Sequence, residues 1–357
     1  MARKPWKASA TRSGKRYQKK VPGVWRRGAL ALAERFPLSR LHPGALARAE
    51  NGPWAVGFSG GPDSLALLLL LWAHWPVRRR SLVALHFDHD LRGAASRRDA
   101  RFCARVCRGL GIRFKAERWS RPTTAKPSEA AAREARLAFF DRATSQIRAT
   151  ALWLGHQQDD IAETMFMRVA RGSGTAGLAA PRPVTEVVPL RLRPLLTLKK
   201  SELSAALDSL GIPFCEDETN RGGDYLRNRM RGEVIPAWLE VSGDRDALAG
   251  AALARELLQE DDEALETLTD LRRPLSASGR LDLTRLAGAP RAIWRRALHR
   301  WVVRQNARGR IFSLSRAGFT LLLEALMMGR ATRISMGANA FAVIAGGRLV
   351  LRRGKAG

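Results

Sequence analysis

The stretch "AVGFSGGPDSLALLLL" at residues 55–70 decides the fold. An apolar run ends at Ser59, two glycines permit a tight turn, and Pro62 suits the first turn of a following helix. The N–H groups of Gly60, Gly61 and that first turn would face an anion, helped by the helix dipole. A Walker A loop requires a lysine here, and the stretch has none. It therefore predicts a phosphate-binding loop of a different kind, with an ordinary capped turn as the alternative.

Strand-like and helix-like segments alternate from residue 54 onward. The predicted strands cover 54–59, 82–88, 113–119 and 151–156, with a weaker one near 184–190. The predicted helices cover 62–75, 95–110, 128–148, 158–170 and 199–210. This alternation predicts an α/β fold with a parallel sheet flanked by helices, in which ligands bind at the carboxyl ends of the strands.

The chain divides by composition into three regions. Residues 1–48 are predicted to be a basic, disordered N-terminal extension, because their start is rich in Lys and Arg and broken by Gly and Pro. Residues 49–235 carry the nucleotide-binding pattern. Residues 236–357 have helical spacing and end in an alternating segment around Gly346-Gly347, which predicts a smaller, mainly helical C-terminal domain closed by a β-hairpin.

The net charge of +29 is the strongest bulk signal in the 357 residues. Residues 1–30 hold ten Lys or Arg and no acidic residue, and the rest of the chain is also basic. Such an excess favours a polyanionic partner, and nucleic acid before a membrane surface, because no basic amphipathic helix with a strong apolar face stands out. We therefore expect no membrane partner.

Cysteine usage and hydropathy indicate a cytoplasmic protein. The three cysteines are Cys103, Cys107 and Cys215, without a CxxC pair, which argues against a disulfide framework or a metal site. No secretory signal is visible, and the longest apolar run, at 65–75, is too short to span a bilayer.

The segment "DDIAET" at 159–164 places Asp159, Asp160, Glu163 and Thr164 around the start of a helix. Capping explains one acid, whereas three at the carboxyl end of a strand also favour a bound cation, either Mg²⁺ or an ammonium group. His156, just before them, is left open between a half-buried structural histidine and a site residue.

Glycines and arginines form three further candidates. The segment "RGSGTAG" at 171–177 spells GxGxxG but follows a helix, so a dinucleotide site is excluded and a lid carrying Arg171 and Ser173 is predicted. Each basic group has a structural alternative. A solvated helix face is the alternative for Arg168 with Arg171, and for Arg133 with Arg136; Arg227, Arg229 and Arg231 beside Asn228 fit either phosphate contacts or a buried ion-pair anchor.

Taken together, the motifs resemble the PP-loop ATP pyrophosphatases and, within them, the tRNA(Ile)-lysidine synthase family. The resemblance covers residues 50–240, approximately, and its motifs occur in the family's order. They are "SGGPDS" (59–64), "HFDHDLRG" (86–93), "AAREARLAFF" (131–140), "GHQQDDIAETMFMRVARGSGTAGL" (155–178), "RPLLTLKKSEL" (193–203) and "CEDETNRGGDYLRNRMRGEVIP" (215–236). Two positions depart from the family: Gln157 replaces a second histidine, and Asp90 replaces a glycine but tolerates positive φ.

The resemblance implies an ATP- and Mg²⁺-dependent ligase. Such enzymes adenylate the wobble cytidine of the isoleucine tRNA with a CAU anticodon and then attach L-lysine to its C2, releasing AMP and pyrophosphate. A PP-loop tRNA thiolase is the alternative, although its usual cysteine pattern is missing. The partners expected are tRNA(Ile) and L-lysine, and the assembly is left open between monomer and homodimer.

Four groups of site residues follow from these motifs. The catalytic group is Asp63, Asp159, Asp160 and Glu163, with Asp63 as the Mg²⁺ ligand. The ATP-binding group is Ser59, Gly60, Gly61, Pro62, Asp63, Ser64, His86 and Asp88. The group facing lysine or tRNA is His89, Arg92, Arg133, Arg136, His156, Thr164, Arg168, Arg171, Ser173, Arg227, Asn228 and Arg231.

Overall fold

A computed structural model of the chain describes residues 23–90, 93–120, 128–215, 226–306, 314–337 and 339–353. The chain forms two compact units, Met1–Glu256 and Leu257–Gly357. No helix in the described part of the chain is long and apolar enough to cross a membrane.

The first unit is built on a six-stranded sheet with helices on both faces. Its strands are β1 (Trp54–Gly57), β2 (Leu82–Asp88), β3 (Arg113–Arg118), β4 (Ala151–Trp153), β5 (Val184–Thr185) and β6 (Leu190–Leu192). Their order is β3-β2-β1-β4-β6-β5, and all neighbours are parallel except β5 and β6. The predicted α/β class with a mostly parallel sheet is confirmed.

The helices of this unit follow the strands in alternation. They are α1 (Gly23–Arg35), α2 (Pro43–Ala47), α3 (Pro62–His74), α4 (Ala94–Leu110), α5 (Glu129–Gln146), α6 (Gln158–Val169), α7 (Thr175–Leu178), α8 (Lys200–Ser209), α9 (Leu226–Arg229) and α10 (Ile235–Val241). A π-helical turn, Met230–Val234, joins α9 to α10, and α11 (Ala247–Arg272) contains the boundary between the units.

The central strands are buried on both faces, so their side chains alternate between two apolar layers. Trp54 and Val56 of β1 belong to the layer formed with α3, whose residues 65–72 are all buried. Ala55 belongs to the opposite layer, with Phe139 of α5. Helices α1 and α8 also pack on α3 in this layer, which explains why α3 is apolar nearly all round.

Part of the N-terminal extension forms helices instead of the predicted disorder. Disorder over 1–48 is wrong for residues 23–48, where α1 and α2 form; residues 1–22 lie outside the described residues. Trp25, Ala29 and Leu32 recur at helical spacing and are buried in the same layer as α3. The intervening arginines and glycines obscured this apolar stripe in the sequence.

The boundary between the units falls further along the chain than the predicted 235/236 boundary. Ile235 of α10 and Leu248 of α11 pack with Ala162 of α6 in one buried cluster. The first unit extends to Glu256. The contact joins segments that are far apart along the chain.

The second unit combines helices with an antiparallel sheet. Besides the C-terminal part of α11 it contains α12 (Arg291–Asn306), α13 (Arg316–Met327), β7 (Leu281–Asp282), β8 (Thr332–Ser335), β9 (Ala340–Ala345) and β10 (Arg348–Arg353), in the sheet order β7-β10-β9-β8. Gly346 and Gly347 turn β9 into β10 with φ of 54° and 66°, as expected of a two-residue hairpin. Trp301 of α12 and Leu322 of α13 lie in its core.

Candidate active site

The strand order creates a crevice beside β1. The chain proceeds from β1 to β2 and β3 on one side of the sheet and then returns to place β4 on the other side of β1. The loops after β1 and β4 therefore diverge at the carboxyl edge, which is where open α/β sheets bind ligands. The phosphate loop follows β1, and His156 with the acids of α6 follows β4.

Gly60 lets the phosphate loop turn above two buried thiols. Its φ is 93°, a region that disfavours residues with a side chain, and an added Cβ would lie 2.9 Å from Cys103 Sγ and 3.0 Å from Cys215 Sγ. The Gly60 carbonyl accepts a 2.9 Å hydrogen bond from the Cys215 N–H. Cys103 and Cys215 thus hold the loop from behind.

Ser64 organises the interior of the loop. Its Oγ accepts N–H groups from Ser59 and Gly60, each at 3.2 Å, and donates to the Gly61 carbonyl at 3.1 Å. Ser59 Oγ lies 3.1 Å from Ser64 Oγ and accepts the Gly61 N–H at 3.4 Å. The loop N–H groups predicted to face an anion therefore converge on two hydroxyls, with which a phosphate oxygen would compete for the same donors.

Gly155 brings the end of β4 against the start of α3. A Cβ at this glycine would lie 3.0 Å from the Asp63 carbonyl oxygen and 3.2 Å from Ser64 Cα. Only a glycine permits this approach without displacing main-chain atoms, and the approach places the segment after β4 beside the phosphate loop. The sequence pattern did not single out this glycine.

Asp63 lies in the first turn of α3 with a raised pKa. Burial is the main cause, and the nearby carboxylate of Asp160 adds to it, so that the pKa of Asp63 reaches about 7. The charges of Lys200 and Arg231 act in the opposite direction. Asp63 Oδ1 is buried with no hydrogen-bond partner among the residues that the structure describes.

A buried, unpaired carboxylate oxygen repelled by another acid is suited to a divalent cation. No group of three or more His, Cys, Asp or Glu side chains in the described ranges could hold a metal by itself. Mg²⁺ is commonly held by one or two carboxylates together with substrate phosphates, so this donor set fits Mg²⁺ beside a bound nucleotide.

The first turn of α6 uses two of its acids as structural caps. Gln157 Oε1 accepts the Asp159 N–H at 2.5 Å, and Asp160 Oδ2 accepts the Gln157 N–H at 3.1 Å. Asp159 Oδ2 accepts the main-chain N–H of Lys200 at 3.0 Å, which joins α6 to α8. Each of these carboxylates thus has one oxygen committed to a main-chain donor.

Glu163 is fully buried and paired with two arginines. Its side chain is 2% exposed, and its two oxygens receive Arg231 at 2.6 and 3.1 Å and Arg227 Nε at 3.0 Å. Arg227 also reaches Asp160 Oδ1 at 3.1 Å. Of the two readings open for these arginines, the structure contains the ion-pair anchor. Asn228 between them is half-buried.

His156 is held as a neutral ring among arginines. Arg193 donates its Nε–H to His156 Nδ1 at 3.2 Å, so the ring proton belongs on Nε2. Burial, followed by the charge of Arg193, lowers the pKa of His156 well below its usual value. Three further arginines act in the same direction: Arg227, Arg136 and Arg133.

Arg193 is a site residue that was not predicted, although it opens the motif "RPLLTLKKSEL" at 193–203. It is anchored by its Nη1 to the Arg182 carbonyl at 2.8 Å and to Thr185 Oγ1 at 2.9 Å. Burial lowers its pKa to about 10, which leaves the guanidinium charged at neutral pH. Arginines thus crowd the carboxyl end of β4, where an anionic ligand would relieve their mutual repulsion.

The last residues of β2 and those just after it support the strand edge. His86 is buried and lies 2.9 Å from the Phe58 carbonyl through Nδ1, and burial lowers its pKa. Asp88 Oδ1 accepts the Asp90 N–H at 2.7 Å, and Asp90 has a φ of 51°, the positive φ it was expected to tolerate. The His89 ring contacts Phe87 edge-on. Arg92 lies outside the described residues.

The glycine segment after α6 is a hydrogen-bonded turn. Gly172 has a φ of 67°, and the Arg168 carbonyl accepts N–H groups from Arg171 and Ser173 at 3.1 and 3.0 Å. Gly177 packs closely on Ser173. Arg171 is exposed, whereas Arg168 and Thr164 are half-buried. The lid function predicted for this segment stays a prediction.

Fold and site together define an α/β protein with a glycine-rich loop of the phosphate-binding type at the switch point of a mostly parallel sheet. The family described as PP-loop domain matches residues 39–238, more than half of the chain. The chain belongs to this PP-loop family.

Curated relatives and a solved structure agree with this assignment. The chain is 41% identical to a tRNA(Ile)-lysidine synthase of Bradyrhizobium sp. (strain BTAi1) over 57% of each chain. It is 37% identical to a tRNA(Ile)-lysidine synthase of Bacillus licheniformis, over 68% of this chain and 53% of that one. The U34-tRNA thiolase NcsA from Methanococcus maripaludis shares the fold, with a TM-score of 0.51 and 18% identity over 66% of this chain and 79% of that chain. The matches span about half the length of the curated relatives.

Proposed function

We propose that the protein is a tRNA(Ile)-lysidine synthase. It would use ATP to adenylate O2 of the wobble cytidine in the isoleucine tRNA with a CAU anticodon. L-Lysine would then attack C2 and displace AMP. The observation that carries the proposal is the meeting of the phosphate loop with the acid-bearing helix α6 through Gly155, in a chain whose relatives bear that name.

In the first step the loop would bind the departing pyrophosphate. The bond from the cytidine O2 to the α-phosphorus forms while the bond to the β-phosphate oxygen breaks, so pyrophosphate leaves with the electron pair. The N–H groups now bonded to the Ser59 and Ser64 hydroxyls would donate hydrogen bonds to the pyrophosphate. Together with the N-terminus of α3, they would stabilise its negative charge. Mg²⁺, held by Asp63, would neutralise phosphate charge when bound.

In the second step the ε-amine of lysine must be uncharged to attack C2. Asp159 and Asp160 each keep one oxygen beyond the main-chain caps described above, and the Asp160 oxygen is shared with Arg227. Asp159 therefore suits orientation or deprotonation of the ammonium group better than Glu163, whose oxygens are both paired. Glu163 would act by holding Arg227 and Arg231 in place.

The arginines around His156 would receive the anionic parts of the substrates. Arg133 is exposed and Arg136 half-buried on α5, on the side of the crevice that carries His156. The wobble base must leave the anticodon stack to react, as single-stranded RNA recognition generally requires. Arginine planes and charges suit both the base and its flanking phosphates.

The cysteines disfavour a PP-loop tRNA thiolase. Sulfur transfer needs an accessible thiolate, but all three cysteines are buried. Burial raises the pKa of Cys107 to about 12 and that of Cys103 further still. Two of the thiols, those of Cys103 and Cys215, pack against the phosphate loop at Gly60.

Label transfer tests the proposed reaction. The protein is incubated with radiolabelled L-lysine, ATP, Mg²⁺ and the CAU-anticodon isoleucine tRNA transcript, with the methionine tRNA as control. Label in the isoleucine tRNA alone is the expected result. No label, or equal label in both tRNAs, contradicts the proposal.

An Asp63→Ala variant tests the role of the loop. It should abolish pyrophosphate release and leave tRNA binding intact, since Asp63 lies in the nucleotide site; unchanged turnover would remove the loop from the mechanism. The remaining assignments, a cytoplasmic location and a monomer or homodimer, are tested by fractionation and by light scattering of the purified chain.

A further inference from the structure

The phosphate loop lacks its own lysine, but a lysine from α8 lies beside it. Lys200 is the first residue of α8, which follows β6 at the same carboxyl edge of the sheet. The segment leading to it is tied to the start of α6. The Gln158 N–H donates to the Leu198 carbonyl at 2.9 Å, and the Lys200 N–H donates to Asp159 Oδ2 at 3.0 Å.

Two adjacent lysines at this helix start have different environments. Lys199 forms an ion pair with Asp246 at 2.6 Å, away from the phosphate loop. Lys200 is half-buried and has no ion pair within the described part of the chain. A half-buried ammonium group that forms no ion pair is available for the negative charge of a ligand.

The Lys200 ammonium also acts directly on the loop. Among the charges that lower the pKa of Asp63, Lys200 is the largest, ahead of Arg231. Asp63 lies in the first turn of α3, where the loop N–H groups converge. The main chain of Lys200 is held against Asp159, and Gly155, four residues before Asp159, packs on the first turn of α3, so Lys200 lies at the same edge of the sheet as the loop.

We propose that Lys200 binds the pyrophosphate portion of the nucleotide, supplying from α8 the cation that the loop sequence lacks. This assignment deepens the proposed function, since it requires the loop to bind ATP. Lys200 would contribute charge and hydrogen bonds to the departing phosphate oxygens. A cation held on a separate helix contacts the leaving group without occupying the loop, where a Walker lysine would have to lie.

Binding of inorganic pyrophosphate with Mg²⁺, measured by calorimetry on the full chain, tests the assignment. Lys200→Met should weaken pyrophosphate binding by about tenfold to a hundredfold, the usual worth of a charged hydrogen bond. AMP should bind as in the wild type, because it lacks the β-phosphate. Lys200→Met retains the main-chain N–H to Asp159, so the joint between α6 and α8 is kept.

Lys199→Met is the matched control, and Lys200→Arg is the rescue. The first should leave pyrophosphate binding unchanged, and the second should restore it to within about threefold, since Arg is also a phosphate ligand. Pyrophosphate binding by Lys200→Met within twofold of wild type, or equal losses in both methionine variants, overturns the assignment.

The outcomes separate this assignment from the proposed function. A wild-type chain that binds pyrophosphate and ATP but makes no lysidine contradicts the proposed function and leaves the Lys200 test valid. A wild-type chain that binds neither ligand overturns both.

Discussion

Replacing Glu163 by Gln should destabilise the first unit strongly, although the two side chains have nearly the same size. The carboxylate is 2% exposed and neutralises two guanidinium groups that are themselves 27% and 30% exposed. Removing one partner of a buried pair costs about 3–5 kcal/mol, because the other charge stays buried without compensation. Here the arginines keep partial contact with water, so we expect a loss near the lower end, about 3 kcal/mol.

The control uses the same chemistry at an exposed place. Arg229 and Glu233 form a pair at 3.2 Å whose side chains are about three-fifths exposed, within the same turn of chain. Glu233→Gln should cost about 0.5 kcal/mol or less. Both variants are compared by urea unfolding followed by circular dichroism, with hydrogen exchange of residues 226–241 as a local readout.

A double-mutant cycle with Arg231→Met isolates the pair. In the Arg231→Met background, Glu163→Gln should lower the free energy of unfolding by less than in the wild type, because only Arg227 then loses its carboxylate partner. A loss below about 1 kcal/mol for Glu163→Gln, or one equal to that of Glu233→Gln, would refute the claim that this carboxylate anchors the arginine segment.

Three other perturbations test separate parts of the site. Because burial and arginine charge lower the pKa of His156, the unfolded chain gains a proton below about pH 6.5 that the folded chain does not, so stability present above that pH is lost as the pH falls. His156→Gln should therefore make the free energy of unfolding less dependent on pH, by up to about 1.4 kcal/mol per pH unit between about pH 6.5 and 5.5. An unchanged slope would mean that the ring titrates freely. Gly60→Ala should lower the free energy of unfolding by about 2 kcal/mol or more and impair ATP binding, because Gly60 has a φ of 93° and an added Cβ would lie 2.9 Å from Cys103 Sγ. The control is Gly250→Ala, whose added Cβ meets no atom within 4 Å. It should change the free energy of unfolding by less than about 1 kcal/mol. Arg133→Met should lower the slope of log affinity for tRNA against log salt by about one unit, and an unchanged slope in filter binding would exclude Arg133 from phosphate contact.

The sequence was sufficient where the pattern is local. Strand-and-helix alternation predicted β1 to β4 and the intervening helices. Strands β1, β2 and β4 are short apolar runs, and β3 alternates charged residues with Phe114 and Ala116. The phosphate loop was predictable for the same reason, as its glycines, Pro62 and Ser64 are consecutive. The hairpin at Gly346-Gly347 follows the same rule.

The remaining features depend on contacts between distant segments. Arg193 and Lys200 both lie in the motif at 193–203, but the motif does not show what they contact. Arg193 bonds to His156 and the Lys200 N–H bonds to Asp159, both in the segment after β4. The pairing of Glu163 with Arg227 and Arg231 joins residues from separate motifs, so composition left two readings open. Strand β7 has two residues and exists only because β10 pairs with it.

The ion pairs of Glu163 with Arg227 and Arg231 have a consequence for synthesis on the ribosome. Arg227 and Arg231 lie 64 and 68 positions after Glu163, so the acidic helix is made well before its partners. At about 5–20 residues per second, the nascent chain carries an uncompensated Glu163 for several seconds. The crevice is therefore completed late in translation, and a chain released before residue 231 would have its phosphate loop but not the full ion-pair cluster around Glu163.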